Sequence, residues 1–259
     1  MSTVQQPPEP EQRERPPGLD PTRDVVRPPQ GPPPLPPRYR PLAGRAAAIT
    51  AMFGILFVID LALIGAALLN HGVIDRLESG SVPERELDAN AMRLSWLALA
   101  SIAVSIACVV LFIRWLHLAY RNVDAISPPY RRFDTGWAIG SWFVPILNLV
   151  RPIQIVTDVW HSGLPERHRP PAWLAVWWLG LWGLWIYNRF LDGDPTGISI
   201  AEMREGTNEL IIGSAAHAAL IVLAICVVRS LTKRQEAKAD WVAAKEPTPL
   251  RSAAPATTA

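Results

Sequence analysis

Four long apolar runs, residues 46–69, 94–116, 172–191 and 209–231, limit what this chain can fold into more than any other feature. Each approaches or exceeds the roughly 20 residues a helix needs to span about 30 Å of hydrocarbon. In lipid every backbone polar group must find its partner inside the protein, which leaves helices or closed barrels. The runs are continuously apolar rather than alternating, so helices are expected. The expected fold class is an all-α integral membrane protein, with the lipid bilayer as its first partner.

Composition sets the domain boundaries. Residues 1–45 hold 14 prolines, including the run Pro32–Pro37, and cannot bury apolar area or build helix. They are expected to form a disordered Pro/Arg-rich tail with polyproline II stretches, either an extended tether or a docking site for an aromatic-lined groove. No apolar stretch starts near Met1, so the first span is expected to act as an uncleaved anchor. Residues 46–231 make one helical membrane domain, and 232–259 read as a disordered basic C-terminal tail. The net charge of +2 is small and carried mostly by Arg, with lysine confined to Lys233, Lys238 and Lys245. No nucleic-acid face is implied. Cys108 and Cys226 fall inside apolar runs, where thiols usually pack as small residues.

Orientation follows from Lys and Arg beside the spans, because basic flanks of short loops stay cytoplasmic. Arg38, Arg40 and Arg45 precede the first span, and Arg121, Arg131 and Arg132 follow the second. The stretches around Glu84–Asp88 and Asp192–Glu205 are acidic, whereas the end of the chain is basic again. Both termini are therefore expected in the cytoplasm of a cell-membrane protein. The shorter apolar stretch 136–150 threatens this count, since a fifth crossing would reverse everything after it. Residues 134–161 resolve the conflict if they enter and leave on one side, as a re-entrant or interfacial helical hairpin broken by proline. Pro145 and Pro152 bracket Asn148, and each proline removes a backbone donor. Five spans remain the alternative. Asn148 reads as a loop cap or as the lining of a vestibule.

The residues around this stretch carry a resemblance. Trp115, Tyr120, Arg121, Asn122, Ser127, Pro128 and Trp137 precede WFVPILNLVRP (Trp142 to Pro152), and Asp158, Val159 and Trp160 follow it. This pattern resembles the family catalogued as domain of unknown function 4328, over roughly residues 46–231 and most specifically over 115–162. The resemblance implies a bacterial multi-pass membrane protein and no particular activity.

Polar residues inside the spans are the candidate site. Asp60 sits roughly 13 Å from the outer end of its run and His217 about 12 Å from the same side, with Ser101 and Gly183 at similar depth. A carboxylate at that depth must be paired or protonated. The layer of Asp60, Ser101 and His217 reads either as an interhelical hydrogen bond that sets bundle register or as part of a proton or cation relay. In the fourth run, Trp173, Trp177, Trp178, Trp182 and Trp185 cover half the helical wheel, opposite Gly180 and Gly183. Glycines packed on neighbours and indoles turned to lipid or a partner are expected. The pairs Ala62/Ala66, Ser101/Ser105 and Ser214/Ala218 suggest further packing faces. Asp158, His161 and His168 match no specific metal spacing. No nucleophile elbow, phosphate loop or metal-binding helix motif is present, so neither an enzyme nor a cofactor is expected. The leading expectation is a membrane scaffold or interaction protein, a homo-oligomer being open. The alternative is a small channel or transporter with a proton or cation path near Asp60 and His217.

Overall fold

The computed structural model describes residues 38–163, 169–191 and 199–245. Six α-helices account for most of them, and no strand occurs among them. In chain order they are α1 (Ala43–Glu78), α2 (Glu84–Ile126), α3 (Trp137–Gly140), α4 (Pro145–Ser162), α5 (Ala172–Ile186) and α6 (Ile200–Lys245). A 3-10 turn, Pro128–Tyr130, follows α2, and a π turn, Tyr187–Leu191, continues α5.

Three helices, α1, α2 and α6, are long and apolar enough to cross a membrane. With 36, 43 and 46 residues they reach about 54, 65 and 69 Å at the helical rise. That exceeds a hydrocarbon core of about 30 Å, so their ends must project beyond it. Among the described residues, the stretches between the apolar runs are thus largely helix rather than loop. The α1–α2 connection is a tight turn in which Gly80 takes φ +71°, a conformation that L side chains rarely adopt. Pro83 then leads into α2, with Glu84 and Glu86 in the first turn, where the helix dipole favours acids. The fourth run appears as only 15 residues of α-helix plus the π turn.

Helix α6 packs most extensively along α1; α2 packs on α1 and touches α6 as well, and α5 packs on α6. Lipid gives apolar helices no hydrophobic reason to associate, so close packing and interhelical hydrogen bonds must hold the bundle. The bonds are concentrated at its two ends. Where α1 ends and α2 and α6 begin, Asn70 Nδ2 donates to Thr207 Oγ1 at 2.8 Å, and Asn90 donates to Asn70 Oδ1. Arg204 there lies 3.0 Å from Asp75. At the opposite end, Trp115 Nε1 donates to Thr232 Oγ1 at 3.1 Å, and Gln235 Nε2 bonds Ala119 O and Ser162 Oγ at 3.0 and 3.1 Å.

Both tail boundaries need correcting. Residues 232–245, expected in the disordered basic tail 232–259, continue α6, with Thr232, Gln235 and Lys238 buried. Their Lys, Gln, Glu and Ala content suits helix, and Arg234 lies over the Trp160 ring at 3.8 Å. Residues 38–42, expected in the tail 1–45, are docked: Leu42 is fully buried, and Asn122 exchanges two hydrogen bonds with the Arg40 backbone at 3.0 and 2.8 Å. Glu236 Oε1 accepts from the Ala43 amide at 2.8 Å, satisfying a donor at the start of α1. Burial, and then Glu236 and Asp240, push the Tyr39 phenol above its ordinary range. The remainder of both tails, 1–37 and 246–259, lies outside the described residues.

Segment 134–161 doubles back. Its start sits beside the last turns of α2, where His117 Nδ1 contacts Thr135 O at 3.0 Å and the Phe133 amide donates to Tyr120 Oη at 2.9 Å. Its middle reaches further along the bundle, with Trp142 edge-on to Phe112 at 5.9 Å. Its end returns to the level of the start, where Tyr120 meets Asp158 and Ser127 Oγ donates to Ser162 O at 3.1 Å. The apex differs from the expected break. The chain turns at Trp142–Val144, and Pro145 opens α4 as its first residue, where a missing N–H costs nothing. Asn148 and Pro152 lie inside α4, so Pro152 does not end a helix and Asn148 is not at the tip.

In α5 the tryptophans divide differently from the expectation. Trp177 and Trp178 are buried, whereas Trp185 is exposed. Trp178 Nε1 donates to Leu149 O at 3.1 Å, and its ring meets Trp142 edge-on at 6.2 Å, tying α5 to the apex. Gly180 faces Leu220 on α6, as expected, but a Cβ on Gly183 would meet nothing within 4 Å. Ala66, Ser214 and Ala218 are buried, while Ala62 is exposed.

Candidate functional site

Helices α1 and α6 bring the two ionisable residues of the candidate layer into contact. Asp60 is 1% exposed, and His217 Nδ1 lies 3.2 Å from its Oδ1 and 3.0 Å from its Oδ2. Only the Oδ1 approach has hydrogen-bond geometry, so Oδ2 is buried without a hydrogen-bond partner. Ser101 on α2 lines the same cleft as both, so the whole expected layer of Asp60, Ser101 and His217 meets at one place. Gly183 takes no part in it.

The cleft has a volume of about 670 Å³. Helices α1 and α6 form its back, and α2 and α5 flank it. Several lining residues were not anticipated: Gly206, Glu209 and Gly213 on α6, and Tyr187 and Asn188 in the π turn. A signal for the first group exists in the sequence. Gly206, Glu209, Gly213 and His217 recur at steps of three or four, which places them on one helical face. Nothing comparable announces the π turn, although such turns often accompany functional sites.

On its other side His217 adjoins a second cavity of about 150 Å³, bounded largely by apolar side chains, among them Phe53, Phe112, Trp142 and Trp177. Phe112 and Trp177 have ring centroids 5.8 Å apart, so aromatic packing separates the layer from the far end of the bundle.

The far end holds a second polar cluster, which the sequence reading treated as unrelated residues. Arg132 Nε donates to Asp158 Oδ1 at 2.7 Å, its guanidinium also reaches Gln154 O at 3.1 Å, and Tyr120 Oη donates to Asp158 Oδ2 at 3.3 Å. Asp158 is therefore committed to an arginine and a phenol rather than to a metal; His168 lies outside the described residues. Among the described residues no three His, Cys, Asp or Glu side chains come together in a way that could hold a metal ion. Of the expected hairpin-break residues, Pro145 and Asn148 line a groove open on the outside between α4 and α5, and Asn148 Oδ1 there has no hydrogen-bond partner. Pro152 is buried in α4.

Comparison with curated proteins and with solved structures gives no match. The family described as Domain of unknown function (DUF4328) matches residues 78–233, which take in α2 through most of α6, the hairpin and both polar clusters but leave Asp60 outside. This span is more than half of the chain, and with its three membrane-length apolar helices the protein belongs to that family.

Proposed function

We propose that the protein is a cell-membrane scaffold, an anchored platform whose cytoplasmic ends recruit other proteins. The observation that carries this reading is the apolar lining, with Phe53, Phe112, Trp142 and Trp177, of the cavity that adjoins His217 on the side of the Asp158 cluster. Conduction needs a polar or hydrated line from one face to the other, and an apolar lining of this kind does not supply one.

In this reading α1, α2, α5 with its π turn, and α6 cross the bilayer, while α3 and α4 dip in and return. The even number of crossings leaves both termini cytoplasmic, in agreement with the basic residues at Arg38–Arg45 and Lys233–Lys245. Support for the dip comes from Thr135 and Asp158, which meet α2 at nearly the same level, beside His117 and Tyr120. The cytoplasmic platform then consists of the docked segment 38–42, the turn after α2 and the last turns of α6.

Photocrosslinking in cells, with and without residues 1–37, tests the recruitment. Partner proteins captured by the full chain and lost on truncation support a docking tail; indifference to truncation refutes it. A rival reading, a small proton or cation transporter, draws on the buried Asp60–His217 pair. Proteoliposomes discriminate: a proton or cation flux abolished by Asp60→Asn in a folded variant would overturn the scaffold reading.

A further inference from the structure

We propose that the lipid-facing side of the hairpin, where Arg132 and Arg151 gather at the Phe133 ring, is a binding site for one anionic phospholipid. Its phosphate accepts hydrogen bonds from the Arg151 guanidinium, and its acyl chains run along the exposed Ile146 and Val150 of α4. The proposal rests on the membrane setting of the chain and on neither the scaffold nor the transporter reading.

Three observations carry it. The first is a cation without a counter-charge. The guanidinium carbons of Arg132 and Arg151 lie 5.8 and 4.1 Å from the centre of the one Phe133 ring, so two positive charges meet at a single side chain. Arg132 has its partner in Asp158 at 2.6 Å. Arg151 has none: among the described residues no carboxylate pairs with it and no acceptor takes its N–H groups, and its side chain is only partly buried, with its nitrogens open to the surroundings. Asp134, next to Phe133 in the chain, is exposed and pairs with neither arginine. What holds the Arg151 guanidinium is the faces of Phe133 and Trp137, at 4.1 and 5.1 Å. Stacking engages the plane of a guanidinium and leaves its N–H edges free, and those edges grip a phosphate with two parallel hydrogen bonds. The second observation is depth. The Phe133 amide is tied to Tyr120 Oη at 2.9 Å, and Tyr120 stands four residues beyond Leu116, where the apolar run ends. At the helical rise that is about 6 Å past the hydrocarbon, the level of lipid headgroups. The third is the neighbouring surface: toward the apex α4 exposes Ile146 and Val150, at 79% and 50%.

This combination selects an amphiphile over a soluble anion, which would meet Arg151 and leave the apolar flank bare. A phospholipid covers both surfaces at once. Gln154, one turn beyond Arg151 on α4, accepts from Arg132 through its carbonyl at 3.1 Å, which holds the second guanidinium against the same turn. Its side-chain amide adds a donor for the phosphate. The ammonium of a zwitterionic headgroup would stand close to Arg132 and be repelled, whereas an anionic headgroup carries no such charge.

The test uses the full chain in an uncharged detergent, titrated with phosphatidylglycerol, with phosphatidylcholine as its zwitterionic counterpart and glycerol phosphate as the soluble anion. Native mass spectrometry counts the lipid retained. One phosphatidylglycerol is expected to be held in preference to phosphatidylcholine, and excess glycerol phosphate is expected not to displace it. Arg151→Gln weakens phosphatidylglycerol retention by about tenfold, the loss of one charge-assisted hydrogen bond, and erases the preference. Gln154→Glu, which sets a carboxylate one turn from Arg151, does the same and keeps the test decisive if Arg151→Gln fails to fold. Arg131→Gln, whose arginine is already paired with Asp124 at 2.6 Å, keeps the preference. Equal retention of the two lipids, a preference undiminished in Arg151→Gln or Gln154→Glu, or an equal loss in Arg131→Gln overturns the proposal. So does displacement of the lipid by glycerol phosphate, which marks a site for soluble anions.

Discussion

Gly163→Ala measures how closely the end of the hairpin rests on α6. Gly163 caps α4 at φ −86° and ψ −4°, a conformation alanine adopts freely, so no backbone strain arises. An added methyl would lie 2.7 Å from Arg234 Cβ and 3.1 Å from the Arg234 carbonyl carbon. Both atoms belong to the fixed part of α6, which cannot swing aside as a side-chain tip can. Overpacking of this kind costs about 1–3 kcal/mol. Alanine recovers about 0.4–1 kcal/mol by restricting the unfolded chain. The net expectation is a loss of roughly 0–2.6 kcal/mol. Two other glycines calibrate it. Gly183→Ala meets nothing within 4 Å inside α5 and should gain up to about 1 kcal/mol of helix propensity. Gly180→Ala comes closest to the Leu220 Cδ2 methyl, at 2.5 Å, and a rotamer change of that flexible side chain can relieve the contact. Thermal unfolding in detergent, followed by tryptophan fluorescence, should order the melting temperatures as Gly183→Ala, then Gly180→Ala, then Gly163→Ala. A Gly163→Ala melting temperature equal to or above that of Gly183→Ala would refute the close approach of α4 and α6.

Replacing Asn122 by Ala removes both hydrogen bonds to the Arg40 backbone. At about 1 kcal/mol each, their loss should release residues 38–42, read as faster tryptic cleavage after Arg38, since Pro41 protects the bond after Arg40, with the bundle intact. Asp158→Asn should lower stability by about 1–3 kcal/mol, since Arg132 and Tyr120 lose a shared buried carboxylate; an unchanged melting temperature contradicts that. With Cys108 and Cys226 replaced by Ala, single cysteines at Arg131 and Arg169 should react with an impermeant maleimide from one and the same side of sealed vesicles. Labelling from opposite sides means that 134–161 crosses fully. Trp178→Phe should loosen α5 from the apex, detected as increased hydrogen exchange around Leu149.

The apolar runs already specified helices in a membrane, because hydrocarbon thickness translates directly into residue count and lipid forbids unpaired backbone. The motif around Trp142–Pro152 carried the family, and the depths of Asp60, Ser101 and His217 made a common layer legible, since depth follows from helical rise. The tails were legible only in part. Lys238 and Gln235 look solvated in a list of residues, and nothing local reveals that the α2 and α4 ends lie beside them. The break in the hairpin was misplaced for a similar reason. Proline at the first helical position and proline inside a helix are the same letter, and the apex is held by Phe112 and Trp178, which lie far away in the chain.

What the sequence determined by itself is therefore the presence of helices apolar enough to cross a membrane and the place of each polar group along them, both of which depend on local composition and length. Tertiary structure alone decided which faces meet. It set the Asp60 carboxylate against His217, folded 134–161 back to the level it started from, and turned Trp177 and Trp178 inward. These outcomes depend on helix rotation and on contacts across many residues, and an apolar helix in lipid has no preferred rotation until its neighbours supply one.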